Sequence, residues 1–157
     1  MVNHVKGSAP ACDCMEFGEV RYGAHKTEKP LVHKITNQSN TEMFCIDAEV
    51  LAHPPIVSAI PLVADHHELV KTRDRIRVYK VTLHPGESVS VSYAFFHLVV
   101  VLIGSVIKKE VGDRGSRKVA WEETSTLGDI SWHEPSLNVT QTNVGQDAYE
   151  AYICEWR

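Results

Sequence analysis

The histidine His97 is the residue whose type and position point most directly to chemistry. It lies in an apolar segment close to Tyr93, and an imidazole with a pKa near neutrality can act as an acid or a base. On one interpretation the ring projects into an internal site and takes part in chemistry. On the other it is a neutral core histidine that bonds a backbone carbonyl or a tyrosine. Because no carboxylate partner is evident in the sequence, the second interpretation is favoured and the first stays open.

Two other groups of reactive side chains are weaker candidates. His66, His67 and Glu68 follow one another directly, and adjacent side chains diverge on a strand or a helix. We therefore expect a solvated turn there rather than a metal site. Cys12 and Cys14 are separated by one residue, and no second cysteine pair stands at ligand spacing. Reduced thiols in a loose segment are expected.

The elements that must position the central histidine are β-strands. Arg77–Leu83 and Leu98–Ile103 have strand character, and the turn signal Pro85-Gly86 lies between them. Val89–Ser92 alternates apolar and polar residues, which is typical of a half-buried antiparallel strand. The β-branched second run predicts a strand that is buried on both faces.

The first of these strands also predicts which side chains face the core. Ile76 and Val78 are expected to point inward, and Arg75 and Arg77 outward. Farther along the chain, residues 111–117 contain glycine and aspartate and predict a hairpin loop. The basic side chains around this loop could steer an anion, but charged hairpin tips are usually solvated, and solvated side chains are expected here; they are Lys108, Lys109, Arg114, Arg117 and Lys118.

Two spaced motifs resemble the signature motifs of the cupin superfamily, the RmlC-like jelly-roll barrels. The first has a Pro-Gly turn, a histidine and a glycine in order. The second has a Gly-Asp pair, a proline and an asparagine. The matching residues are Pro85-Gly86, His97 and Gly104, then Gly128-Asp129, Pro135 and Asn143. The resemblance implies an all-β fold, a cupin-like double-stranded β-helix with extra N-terminal strands.

The same resemblance implies a degenerate metal site. Cupins hold a metal with about three imidazoles and one carboxylate. Here Ser92 and Ala94 stand at the first two histidine positions, with Tyr93 replacing Ala94 if the loop is one residue longer. His97 occupies the carboxylate position and Val139 the last histidine position. No cofactor is therefore expected.

The part of the chain before the barrel predicts an extension of strands. Residues 18–52 contain three strand-like runs, near Val20–Tyr22, Leu31–Thr36 and Met43–Leu51. They weakly repeat the last hairpin of the chain, and His33 has the His-x-x-x-Asn spacing of the second motif.

The sequence thus predicts three segments. They are a flexible arm over residues 1–17, an extension with a connecting loop over 18–74, and a barrel over 75–157. The extension could pair within the chain or with a second copy, and the resemblance implies a homodimer.

Composition excludes several classes of function. The 157 residues have a net charge of −4 and a pI of about 6.1, which favours neither nucleic acid nor an anionic membrane as a partner. Neither a run of eighteen apolar residues nor the apolar core of a signal peptide is present. A cytoplasmic location is expected.

We therefore predict a small-ligand-binding barrel that is non-catalytic or metal-free. The predicted pocket residues are Ser92, Tyr93, Phe95, His97, Trp132 and Val139. One alternative is an enzyme, either metal-free, with His97 acting beside Tyr93 or His133, or metal-dependent. A metal enzyme would be of the oxygenase or isomerase type, with a divalent ion held by His97 and His33 brought together across the dimer. A purely structural role is a third alternative, and fold analogy does not decide among them.

Overall fold

The protein is an all-β molecule, as the sequence predicts. The structure is a computed structural model that describes residues 1–26, 28–49, 51–52, 54–112 and 119–157. The described residues form twelve strands, and no helix among them could span a membrane. They form two compact units, Met1–Asp47 and Ala48–Arg157.

The first unit contains a small antiparallel sheet of three strands. Its strands are β1 (Val2–Val5), β2 (Ala11–Cys12) and β3 (His33–Thr36), in the order β2-β1-β3. Residues predicted as a loose arm therefore contribute two strands. Local pattern could not show this, because β1 is paired with a segment about thirty residues away in the chain.

Two of the three strands predicted in the extension are wrong. β3 lies inside the run predicted at Leu31–Thr36, but Val20–Tyr22 and the described residues of Met43–Leu51 have no strand structure. Most of these residues are exposed. Strand-like residue types therefore had no buried face to form against, and β-propensity depends on such a face.

The second unit consists of two antiparallel sheets. One has five strands in the order β10-β7-β12-β5-β4, and the other has four in the order β6-β11-β8-β9. β5, β6 and β7 contain the three strand runs predicted for this part of the chain. The bounds are β4 (His67–Arg73), β5 (Ile76–Leu83), β6 (Ser88–Tyr93), β7 (Phe96–Ile103), β8 (Val106–Val111), β9 (Val119–Thr124), β10 (Ile130–His133), β11 (Ser136–Asn143) and β12 (Tyr149–Trp156). Residues 113–117 of the predicted hairpin loop, and Lys118 beside it, lie outside the described residues.

The core lies between the two sheets. It contains inward residues of both, among them Tyr79, Val81, Leu83, Val91, Val101, Ile107 and Ile153. The predicted orientation of β5 is wrong, because Tyr79 and Val81 face the core and Arg77 shares their side of the strand. The prediction that Leu98–Ile103 is buried on both faces is also wrong. Val101 is buried on the inner face and Ile103 is exposed. The other residues of the run are half-buried; they are Leu98, Val99, Val100 and Leu102.

The motif residues build the turns at one end of the barrel. Asn143 is fully buried, and its side-chain amide donates to the carbonyls of Leu83 and Asp147, each at 2.8 Å. Its Oδ1 accepts from the hydroxyl of Ser105 at 2.8 Å and from the backbone N–H of Gly145 at 3.0 Å. These four bonds join three loops, so the asparagine of the second motif has a structural role here.

The Pro-Gly turn and the motif glycine are also structural. Gly86 has a φ of +83°, and its N–H donates to the carbonyl of Asn143 at 2.8 Å. A side chain at this φ would be strained. At Gly104, a Cβ atom would clash with the carbonyl of Ser125.

Replacing the buried asparagine should strongly destabilise the second unit. Asn143→Ala leaves buried donors and acceptors unpaired, and we expect the free energy of unfolding to fall by about 3 kcal/mol. The matched control is Thr142→Ala, which removes one exposed hydroxyl bond to Ser88 and should cost less than about 1 kcal/mol. Urea unfolding followed by tryptophan fluorescence measures both. Equal losses for the two variants would show that the loops do not depend on this amide.

Candidate functional site

A row of four polar side chains crosses the inner face of the five-stranded sheet. The strand register places Arg77 opposite Glu155, Glu155 opposite His97, and His97 opposite His133. The first three residues are each only 3% exposed, and His133 is half-buried. Cross-strand neighbours lie about 5 Å apart, so these groups form one continuous polar line inside the barrel.

The arginine end of the row is an anchored ion pair. An Arg77 Nη atom lies 3.4 Å from Glu155, whose other oxygen accepts a bond from the Tyr79 hydroxyl at 2.9 Å. The same guanidinium donates to the carbonyls of Ala59 and Ile60, at 2.5 and 3.1 Å. The pair is therefore neutralised internally, and it fixes the segment that precedes β4 against the barrel.

His97 lies in a tight aromatic environment. Its ring centroid is 4.6 Å from that of Tyr93 and 5.1 Å from that of His133, with which it stacks at 16°. Its Nδ1 is 3.2 Å from the carbonyl oxygen of Phe95. Burial lowers the pKa of His97 to about 4, against the raising effect of that carbonyl, and the charges of His133 and Lys109 lower it further. The imidazole is therefore neutral at pH 7.

His133 is also held as a neutral ring. Its Nε2 lies 2.8 Å from the hydroxyl of Ser131, two residues earlier on the same strand. Burial lowers the pKa of His133, and the ammonium group of Lys109 lowers it further, while Glu123 has a weaker opposite effect. The stacked pair can thus offer N–H donors and nitrogen acceptors without a net charge.

Tyr93 connects the two sheets through a satisfied hydrogen-bond chain. His67 Nδ1 lies 2.7 Å from the carbonyl oxygen of Asp65, and His67 Nε2 lies 2.7 Å from the Tyr93 hydroxyl. If Nδ1 carries the proton toward the carbonyl, Nε2 accepts from the tyrosine, which in turn accepts from the Gln141 amide at 3.3 Å. Burial raises the pKa of Tyr93, so the phenol keeps its proton. The sequence interpretation missed both partners of this tyrosine.

The structure brings together only some of the predicted pocket residues. Tyr93, Phe95 and His97 form a cluster of contacting rings, and Val139 is buried on the facing sheet. Trp132 is 51% exposed and stacks on an outer phenylalanine instead of facing the interior.

The remaining three predicted positions lie elsewhere. The Ser92 hydroxyl accepts from the backbone N–H of Asn138 at 3.0 Å, and its alternation with buried Tyr93 places it on the other face of β6. Ala94 is exposed, so Tyr93 is the inward residue of the two. His33 is an exposed residue of the first unit.

A cleft of about 190 Å³ opens between the edge strands β9 and β10. Lys109, predicted to be solvated, has a side chain only 17% exposed that lines the cleft, with its Nζ 2.6 Å from Glu123 Oε2. The prediction failed because alternation along β8 places this lysine on the inner face with Ile107. The lining residues are Val99, Val101, Ile107, Lys109, Glu123, Ser125, Asp129, Ile130, Ser131 and Tyr149.

The chain is similar to several solved structures. A cupin domain from Bordetella pertussis Tohama I has a TM-score of 0.52 and 13% identity, over 60% of this chain and 93% of that domain. An RmlC-like cupin family protein from Methanocaldococcus jannaschii has a TM-score of 0.46 and 12% identity, over 63% of this chain and 93% of that one. A protein with a double-stranded β-helix domain from Klebsiella pneumoniae has a TM-score of 0.45 and 17% identity, over 57% of this chain and 74% of that one.

The first of these likenesses identifies the chain as a double-stranded β-helix protein. It has the cupin fold, and the resemblance noted in its two motifs is confirmed at the level of fold. Neither a family profile nor a curated protein matches the sequence.

The side chains around His97 do not fit the metal site of the fold family. The stacked rings of His97 and His133 are nearly parallel. His97 Nδ1 faces the carbonyl of Phe95, and His133 Nε2 faces the hydroxyl of Ser131. Both oxygens of Glu155 are engaged by Arg77 and Tyr79. Within the described part of the chain, no three histidine, cysteine or carboxylate side chains converge. The donor set lacks the three or four converging ligands that such an ion requires.

The depressed pKa of His97 makes the stability of the second unit fall in mild acid. Below about pH 6.5 His97 is protonated in the unfolded chain, but in the folded chain it stays neutral down to about pH 4. The free energy of unfolding therefore decreases as the pH falls across that interval. One such group contributes a loss of roughly 2–3 kcal/mol. Above this interval His97 is neutral in both states and contributes nothing.

His97→Gln should remove most of that pH-dependent loss. Urea unfolding at pH 7.5, 6, 5 and 4.5 measures it, and the difference between wild type and variant isolates His97 from other titrating groups. Parallel pH profiles for the two proteins would mean that His97 titrates normally.

Proposed function

We propose that the second unit is a small-ligand-binding barrel that works without a metal ion, and that its ligand occupies the cleft between β9 and β10. The observation that carries this proposal is the composition of the cleft. Half of its lining residues are polar or charged, among them Lys109, Glu123 and Ser131, and the others are apolar or aromatic. Ligand pockets combine apolar surface with placed polar groups in this way.

The floor and the rim favour different parts of a ligand. Val101, Ile107 and Tyr149 belong to the hydrophobic core, so the floor suits an apolar body. The Lys109–Glu123 pair suits a polar end. At about 190 Å³ the cleft is smaller than the pockets that hold drug-sized molecules, which favours a compact ligand.

The neutral imidazole pair supports binding more than catalysis. His97 Nδ1 contacts a backbone carbonyl, an arrangement typical of a core histidine, and a general base usually has a carboxylate or substrate partner. His133 is connected to the cleft through its bond to Ser131. The neutral ring therefore orients the Ser131 hydroxyl at the rim of the cleft without adding a charge there.

A blocking substitution tests the location of the site. Screening a library of small fragments by ligand-observed NMR, followed by amide shift mapping, should give binders whose shifts centre on Lys109, Glu123 and Ser131. Ser131→Phe places a ring in the cleft and should weaken these binders at least tenfold.

The matched control is Ser88→Phe, which adds the same ring at an exposed position outside the cleft lining. It should leave binding unchanged. Fragments that bind equally to both variants, or shifts that map away from β9 and β10, would contradict the proposal.

A further inference from the structure

We infer that the ligand of this cleft carries a carboxylate, which replaces Glu123 on the ammonium group of Lys109. The inference rests on the proposed function and adds the chemical class of the ligand, a small organic acid with an apolar body. In this view Glu123 is an internal substitute that holds Lys109 until the acid arrives.

Lys109 is placed as a binding residue rather than as a surface charge. Its strand β8 lies between β9 and β11, and its register partners are Trp121 and Gln141, both uncharged. Its ammonium group lowers the pKa of His97 and of His133, so its field reaches the polar row on the opposite sheet. A partly desolvated cation in a cleft attracts an anion more strongly than the same group in water does.

The carboxylates near this cation are not equally available. Glu155 is held by Arg77 and Tyr79, and Asp129 accepts from the backbone N–H of Thr126 at 2.8 Å. Glu123 is the cleft residue that pairs with Lys109, at 2.6 Å. The positive charge in the cleft is therefore balanced by a side chain on an edge strand.

Glu123 is well placed to leave. Its side chain is 45% exposed, so it can rotate into water and keep its hydration. The exchange of one carboxylate for another keeps the charge balance, so Lys109 is not left unpaired when Glu123 leaves. An incoming acid would also gain an apolar surface from Val101 and Ile107. When His133 Nε2 carries the ring proton and donates to Ser131, the Ser131 hydroxyl is free to donate to the acid.

Other ligand classes fit less well. A cationic ligand would have to approach Lys109, and the two carboxylates of the cleft are already engaged, Glu123 by Lys109 and Asp129 by the backbone N–H of Thr126. A neutral ligand could use the floor but would leave the Lys109–Glu123 pair as it is. The preference for a carboxylate over its amide is therefore the distinguishing property of the site.

Matched acid and amide probes test this inference directly. We would titrate benzoate, benzamide and benzylamine, and then propionate and propionamide, into the full chain at pH 7 and low salt, following amide shifts around the cleft. Benzoate should bind at least tenfold more tightly than benzamide. Glu123→Gln removes the internal competitor and should tighten benzoate about tenfold, with benzamide unchanged.

Two lysine variants separate a local effect from net charge. Lys109→Met should abolish the preference for benzoate over benzamide. Lys108→Met changes the net charge equally, but Lys108 lies on the other face of β8 and pairs with Glu110. It should keep the preference.

The failure of this inference can be distinguished from that of the proposed function. Equal binding of acid and amide at the cleft, unaffected by Glu123→Gln, would overturn the carboxylate assignment and leave the barrel a ligand-binding module. Tighter binding of benzylamine would overturn it in favour of a cationic ligand. If no probe changes the amide shifts around the cleft in any variant, the carboxylate assignment fails. The fragment screen then decides the proposed function separately.

Discussion

The structure of the barrel depends on placing a charged pair inside it. Arg77 and Glu155 are both almost fully buried, and isolated charges there would cost several kcal/mol each. Their cost is offset by the Tyr79 hydroxyl and by carbonyls of the segment before β4, so that segment must close against the barrel. His97, the next residue in the row, is then held neutral by burial. The ion pair thus fixes the segment before β4 against the barrel, and burial in the same interior keeps His97 neutral.

The fold could be predicted from the sequence because its motif residues meet requirements that few residue types can satisfy. Gly86 supplies a positive φ, and Asn143 satisfies the backbone groups of neighbouring loops. Such requirements place particular residue types at fixed spacings along the sequence, where a motif can be recognised. The first unit left no such trace, because Val2–Val5 forms a strand only by pairing with His33–Thr36. Its strands are set by a distant partner, which local residue patterns do not report.

The site could be predicted only in part, for the same reason. Tyr93 and His97 were found because they share one segment with a recognisable motif. Glu155 lies opposite His97 but comes from the end of the chain, and Arg77 was assigned to the wrong face of β5. Lys109 carries the inferred function, yet its position among other basic residues suggested a solvated loop. A single sequence gives the period of a strand, but the strand that faces it decides what its inner side chains do.

Metal content tests the central claim, a ligand-binding barrel without a metal, most directly. The chain would be produced without an affinity tag in medium supplied with Fe, Mn, Ni and Zn, purified without chelators, and analysed by inductively coupled plasma mass spectrometry. The account predicts substoichiometric metal that is the same in wild type and His97→Ala. One metal ion per chain in the wild type, lost in His97→Ala, would contradict it and place a metal centre on the polar row.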